Sequence, residues 1–272
     1  LLSQQHDHVL TNSRLSPGFA DDLVDCPLIL ICPGRGVRHY AYTSIAESLA
    51  SSGYVVAAIG MPGIGNVTYS DGFTAEPDSR FRPPRGLMAG PYEKVDEFFE
   101  IPTEIGKQDL EFALGQFRKL NENDPDRRFT GKIDLQNIGL FGHSLGGRIA
   151  GAFAAEKEQV NALISMEGIP PRRVRFDGLL RIPVAMMCSS GTLPYARDNY
   201  QSLIDGRSET VFMIELQKFG HNSVTDLPLI SPNSFAYEID PATGLNRSIE
   251  IISAYFDTCL KNGVQFAEAI KH

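Results

Sequence analysis

One serine of this chain stands in a setting that suits nucleophilic chemistry. Ser144 lies between Gly142 and Gly146 in the segment GHSLGG, directly after the apolar run of residues 138–141, which is typical of a buried strand. The Ala-rich residues 148–156 that follow predict a helix. A serine on such a sharp strand-to-helix turn, or elbow, needs small neighbours because strand and helix nearly touch there. The spacing therefore predicts a serine hydroxyl that projects from the carboxyl end of a sheet.

A base must take the proton of this hydroxyl before its oxygen can attack a carbonyl carbon. The chain has six histidines, and His221 is the one on a loop after a later strand-like run, residues 211–216. His143 lies inside the elbow, where its side chain is expected to point away from the nucleophile and to pack. We therefore predict that His221 is the base.

An acid must orient this histidine, and two carboxylates compete for the role. Glu167 directly follows a strand-like run, so its carboxylate is expected at the same sheet edge as the serine. Asp198 lies well beyond the next run, residues 184–188, in what reads as a helix. Asp226 is interpreted as a turn or capping residue. We predict Glu167 and keep Asp198 as the alternative.

Attack on a carbonyl carbon also needs two N–H donors for the developing oxyanion. One is expected to be the backbone N–H of Leu145, the residue after the nucleophile. The other is expected from the Gly- and Pro-rich loop after the run of residues 27–32, where the N–H of Arg35 is the best candidate. The Arg35 side chain has two interpretations, a surface salt bridge or contact with an anionic leaving group.

The elements that position these residues alternate between strand-like runs and helical patterns, which predicts an α/β fold with a mostly parallel central sheet and helices on both faces. A net charge of -8 argues against nucleic acid as a partner. The apolar runs are too short for a membrane span, so we expect no integral membrane segment. The four cysteines are widely spaced, without a metal-type Cys/His cluster, so we expect no metal.

We predict a single domain over residues 1–272, with a divergent or shortened N-terminal segment at residues 1–26. Residues 60–103 form a long insertion rich in Gly, Pro and aromatic side chains. It is either an irregular surface excursion or a wall or lid over the serine. The chain begins with Leu1 rather than Met, which suits a secreted or periplasmic protein with a processed or trimmed N-terminus.

Together these motifs resemble the platelet-activating-factor acetylhydrolase-like branch of the α/β-hydrolases and its dienelactone-hydrolase-like and cutinase-type relatives. The resemblance covers about residues 27–260 and depends on the segments CPGRG, GHSLGG, ISMEG and FGHN. It implies a triad of Ser144, Glu167 and His221, oxyanion donors at Leu145 and Arg35, and no cofactor. The family usually has Asp where this chain has Glu167, and its oxyanion loop often has His-Gly instead of Pro-Gly.

The expected activity is that of a serine carboxylic-ester hydrolase that works through an acyl-enzyme. The resemblance and the aromatic-rich insertion point to short or medium acyl esters, with a small-molecule or polymeric ester as substrate. One alternative is an aromatic polyester or phthalate-type ester hydrolase. Another, of a different class, is a hydrolase-fold receptor that holds a ligand with little turnover.

Overall fold

The computed structural model describes residues 19, 23–205, 207, 210–235 and 238–261. Its strands are β1 Cys26–Cys32, β2 Val55–Ala58, β3 Val67–Thr68, β4 Thr74–Ala75, β5 Ile133–His143, β6 Val160–Met166, β7 Val184–Ser189 and β8 Val211–Leu216. Within these residues the main sheet has six parallel strands in the order β2-β1-β5-β6-β7-β8. Strands β3 and β4 form a separate antiparallel pair. The predicted mostly parallel sheet is confirmed.

Helices cover both faces of this sheet. They are α1 Thr43–Ser51, α2 Tyr92–Phe98, α3 Glu100–Glu122, α4 Leu145–Ala154, α5 Arg172–Phe176, α6 Leu193–Ile204, α7 Leu227–Ile230 and α8 Pro241–Lys261. Ile29 and Ile31 of β1 pack with apolar residues of α1 and α8. Leu28 and Leu30 point to the other face and pack with residues of α3 and α4. Strand β1 is therefore buried on both faces, which explains its unbroken apolar sequence.

The insertion at residues 60–103 contains regular structure. It includes the β3–β4 pair, two short 3-10 turns at Ser79–Phe81 and Leu87–Ala89, helix α2, and the first turn of α3. No helix among the described residues is both long and apolar enough to cross a membrane.

All six strands of the main sheet run in the same direction, so their carboxyl ends meet at one edge. The loops after β1, β5, β6, β7 and β8 therefore lie close together there. In open α/β sheets this edge is where ligands bind. The fold thus gathers the loops that carry the predicted site residues.

Candidate active site

Ser144 occupies a strained backbone position between β5 and α4. Its φ of 55° and ψ of −122° are rarely adopted by a residue with a side chain. A Cβ added to Gly142 would lie 2.5 Å from the Cα of Gly147. A Cβ added to Gly146 would collide with the carbonyl oxygen of Cys32. These contacts are the physical reason for the small residues on either side of the serine.

Glu167 follows β6 directly and is held against the elbow. Its φ is 56°, and its backbone N–H donates to the carbonyl oxygen of Met187 at 2.8 Å. The next residue, Gly168, packs so closely that an added Cβ would lie 2.5 Å from the carbonyl oxygen of Ser144. The loop that carries the predicted acid is therefore fixed relative to the nucleophile.

The Glu167 carboxylate is buried and faces the predicted base. Its Oε1 accepts a hydrogen bond from the backbone N–H of Ser189, and Oε2 lies 3.5 Å from Nδ1 of His221. Burial would raise the pKa of Glu167, but the polar groups of His221, Thr192 and Ser189 around the carboxylate outweigh it and hold the pKa below its ordinary value. Because Nδ1 faces the carboxylate, Nε2 of His221 is the nitrogen left for the nucleophile.

The other two carboxylates have different positions. Asp198 lies on α6, and its side chain is outside the described residues. Asp226 accepts a hydrogen bond from the backbone N–H of Ser44 at 3.2 Å, in the first turn of α1. The Asp226 side chain thus binds the start of a helix that is distant in sequence. Its own backbone N–H donates to the carbonyl oxygen of Ala41, which anchors the His221 loop to the neighbouring segment.

The two predicted oxyanion donors lie on either side of the serine. Leu145 is the first residue of α4, where the helix dipole favours negative charge. Arg35 follows Gly34, whose added Cβ would lie 3.3 Å from the Cβ of Ser144. Neither the N–H of Leu145 nor that of Arg35 donates to another residue that the structure describes. Both N–H groups are therefore free to bind a further acceptor beside the serine.

A buried hydrogen-bond chain, which sequence reasoning missed, links three loops of the site. The backbone N–H of Gly34 donates to the hydroxyl of Tyr42 at 3.0 Å, and this hydroxyl lies 2.7 Å from Nδ1 of His143. On the other side of the ring, Nε2 of His143 lies 2.7 Å from the backbone carbonyl oxygen of His221. We call these four residues the Tyr42 chain.

The carbonyl end of the Tyr42 chain fixes the direction of every bond. A carbonyl oxygen only accepts, so Nε2 of His143 carries the proton and Nδ1 must accept from the Tyr42 hydroxyl. That hydroxyl is then free to accept from Gly34. Burial lowers the pKa of His143 to about 3, which keeps the ring neutral and this tautomer in place. His143 packs beneath the site, as expected, but also ties the oxyanion loop to the loop of the base.

The site opens into a cavity of about 860 Å³. Ser144, Glu167, His221 and Arg35 contribute its polar surface. Most of the wall is apolar and includes Leu145, Ile169 and the insertion residues Pro83, Met88, Ala89, Tyr92, Val95 and Phe99. Within the part of the chain that the structure describes, no group of His, Cys, Asp and Glu side chains is arranged to hold a metal ion.

Arg148 also lines the cavity and belongs to a buried charge cluster. Its guanidinium contacts Oδ1 of Asp96 at 2.5 Å and Thr103 at 3.0 Å. The buried Arg175 donates to the other carboxylate oxygen of Asp96 at 3.0 Å. Arg148 is the one charged residue of helix α4, LGGRIAGAFA, and a lone charge in an apolar helix is a sequence signal for a buried partner.

Comparison with known proteins shows the fold. No protein-family model and no curated protein sequence matches the chain. Among solved structures it is similar to a ferulic acid esterase from Streptomyces cinnamoneus, with a TM-score of 0.66 and 21% identity over 88% of this chain and 69% of that one. It is also similar to a dienelactone hydrolase from Anabaena variabilis, with a TM-score of 0.50 and 16% identity over 88% of both chains. The chain therefore has the α/β-hydrolase fold that the sequence motifs implied.

Proposed function

We propose that this protein hydrolyses carboxylic esters through a serine acyl-enzyme. The observation that carries the proposal is the convergence of Ser144 on a strained elbow with the buried Glu167 and with His221, all three lining one cavity. The two structural neighbours are a ferulic acid esterase and a dienelactone hydrolase, which supports the same reaction class.

In the first half-reaction Oγ of Ser144 attacks the carbonyl carbon of the ester while its proton passes to Nε2 of His221. Glu167 holds the opposite nitrogen, stabilises the positive ring and remains ionised, since its pKa is lowered. The carbonyl oxygen becomes an oxyanion that the N–H groups of Leu145 and Arg35 stabilise. The bond to the alcohol then breaks, and the alcohol leaves with the proton from His221.

In the second half-reaction water attacks the acyl carbon of the acyl-enzyme. His221 takes a proton from that water and returns it to Oγ of Ser144 as the acid leaves. None of these steps needs a cofactor. The apolar cavity wall suits the hydrocarbon part of an acyl or alcohol group, and residues 83–99 of the insertion supply much of that wall. We assign the insertion the role of a pocket wall for short or medium acyl chains.

The test is a series of initial rates on p-nitrophenyl esters from acetate to decanoate, with wild type beside Ser144→Ala. We expect turnover that falls by about 10⁴-fold or more in the variant, because the members of a triad act as a unit. The chain-length optimum measures how much of the cavity the acyl group occupies. Absence of wild-type turnover, or turnover that survives the substitution, contradicts the proposal.

Matched variants test the assignment of the acid. Glu167→Ala is expected to lower turnover severely, and His221→Ala nearly as much as Ser144→Ala. Asp198→Ala is the control and is expected to leave the rate within a few-fold of wild type. A severe loss in Asp198→Ala with little loss in Glu167→Ala would show that the acid is misassigned.

Two outcomes would favour the alternatives. If the protein hydrolyses an aromatic polyester film faster than small esters, measured as soluble product released, a polyester hydrolase is favoured. Very slow turnover with product retained after gel filtration would favour a ligand-binding receptor.

A further inference from the structure

Arg35 is a cation without a counter-charge at the nucleophile. Its side chain makes no hydrogen bond or ion pair with any residue that the structure describes, and its Nε is buried without a partner. The residue lines the same cavity as Ser144. Buried charges in proteins are normally paired, so a partly buried guanidinium without an anion is a functional-site signal.

Among the described residues two other arginines are buried, and unlike Arg35 both are paired with a carboxylate. Arg148 and Arg175 have side chains that are 6% and 0% exposed, and both contact the carboxylate of Asp96. Two positive charges share one negative charge there, so the cluster keeps a positive surplus beside the cavity. Arg35 adds a second positive charge to the cavity lining, where Glu167 is the acidic residue and is engaged with His221.

The cavity is thus locally positive in a chain whose net charge is -8. Burial lowers the pKa of Arg35, and repulsion from Arg82 lowers it further. Both effects disfavour the charged guanidinium, and an anion bound beside it would offset them. The surface salt bridge that was one of the two interpretations of the Arg35 side chain is not formed with any described residue.

We infer that Arg35 binds an ionised carboxylate on the substrate, so that the preferred substrates are esters with an apolar body and one additional carboxylate in the acyl or the alcohol part. The inference rests on the proposed ester hydrolysis and names its substrate class. A guanidinium presents a planar fork of N–H donors that matches a carboxylate. The apolar walls supplied by Met88, Tyr92, Val95 and Phe99 would hold the body between the carboxylate and the ester.

The experiment compares kcat/KM for two pairs of esters that differ in one charge. Mono-p-nitrophenyl adipate and p-nitrophenyl heptanoate place the carboxylate in the acyl part. Para-acetoxybenzoate and para-tolyl acetate place it in the alcohol part. We expect wild type to prefer the charged member of at least one pair by about tenfold or more, and the pair that shows the preference identifies the side on which Arg35 acts.

Arg35→Gln is expected to lower this charged-to-neutral ratio by about 10- to 100-fold, the range for loss of one hydrogen bond to a charged group. The ratio cancels any effect on the oxyanion hole, since both members of a pair need it equally. Most of the loss is expected in KM, because the carboxylate lies away from the reacting carbonyl. Arg35→Lys keeps the charge but not the fork and is expected to give an intermediate ratio.

Arg82→Gln is the matched control. Arg82 is an exposed neighbour of Arg35 and does not line the cavity, so its removal deletes the same charge nearby and should change the ratio less than threefold. A wild-type ratio near one in both pairs, or a ratio that Arg35→Gln and Arg35→Lys leave unchanged, overturns the inference while ester hydrolysis stands. If wild type shows no hydrolysis that depends on Ser144, both the inference about Arg35 and the proposed ester hydrolysis are overturned.

Discussion

Removal of the Tyr42 hydroxyl is expected to cost both stability and turnover. Tyr42→Phe keeps the ring, which is fully buried, and deletes only the oxygen at the centre of the Tyr42 chain. Gly34 then loses the acceptor of its N–H, and Nδ1 of His143 loses its donor. Each buried group left without a partner costs about 1–3 kcal/mol, so the free energy of unfolding should fall by about 2–4 kcal/mol after partial relaxation.

The loss of turnover follows from the position of Gly34. It precedes the predicted oxyanion donor Arg35, and the far end of the chain is the backbone of His221. A shift of either loop weakens transition-state contacts, so we expect kcat to fall by about tenfold or more. The measurements are urea unfolding followed by circular dichroism, and initial rates on the ester that wild type hydrolyses fastest.

Tyr54→Phe is the matched control. It also deletes one hydroxyl from a buried ring, but that hydroxyl donates to Asp257 at 2.8 Å, and neither residue lines the cavity. We expect a loss of about 1 kcal/mol and an unchanged kcat. If Tyr42→Phe costs no more stability than Tyr54→Phe, the assignment of two dependent groups to the Tyr42 hydroxyl is wrong.

Two further predictions concern packing and pH. Gly146→Ala should prevent folding or lower the free energy of unfolding by more than about 4 kcal/mol, because the added Cβ meets backbone carbonyl oxygens. Gly115→Ala, in open space on α3, should raise the free energy of unfolding by about 0.5–1 kcal/mol. Soluble yield and urea unfolding measure both variants. Burial raises the pKa of Asp109 to about 6, above its unfolded value of 3.8, so the ionised form destabilises the fold above pH 6. Asp109→Asn should therefore raise Tm most at pH 8, with a gain that shrinks below pH 6 and vanishes near pH 3.8; a gain that is constant with pH contradicts this reasoning.

Much of the fold was predictable because its signals are local. Strand β1 is buried on both faces, so its apolar residues form a continuous run rather than an alternating one. The elbow was recognisable because Gly142 and Gly146 must lack a Cβ where strand, helix and oxyanion loop meet. Element bounds were less predictable: α3 begins at Glu100 and includes Pro102, because proline is tolerated in the first turn of a helix.

The predicted triad residues were also identified by local position, each after a strand of a parallel sheet. The carboxyl ends of such strands share one edge, so Ser144, Glu167 and His221 were expected to converge before their geometry was known. The sequence alone kept Asp198 as an alternative to Glu167, since both follow strands. The contact of Glu167 with His221 at 3.5 Å supports the first choice, and the alanine variants decide it.

Only the tertiary structure revealed the contacts between distant segments. Tyr42 and His143 are 101 positions apart, and Arg148 and Asp96 are 52 positions apart, so no sequence periodicity relates them. The insertion of residues 60–103 has no such periodicity, and its place along the cavity depends on packing against the rest of the fold. The sequence by itself determined which residues end the strands and which positions must be small, because those constraints act within one element and its turn. The tertiary structure decided which side chains share a buried environment, because hydrogen bonding and charge pairing depend on distances in space rather than along the chain.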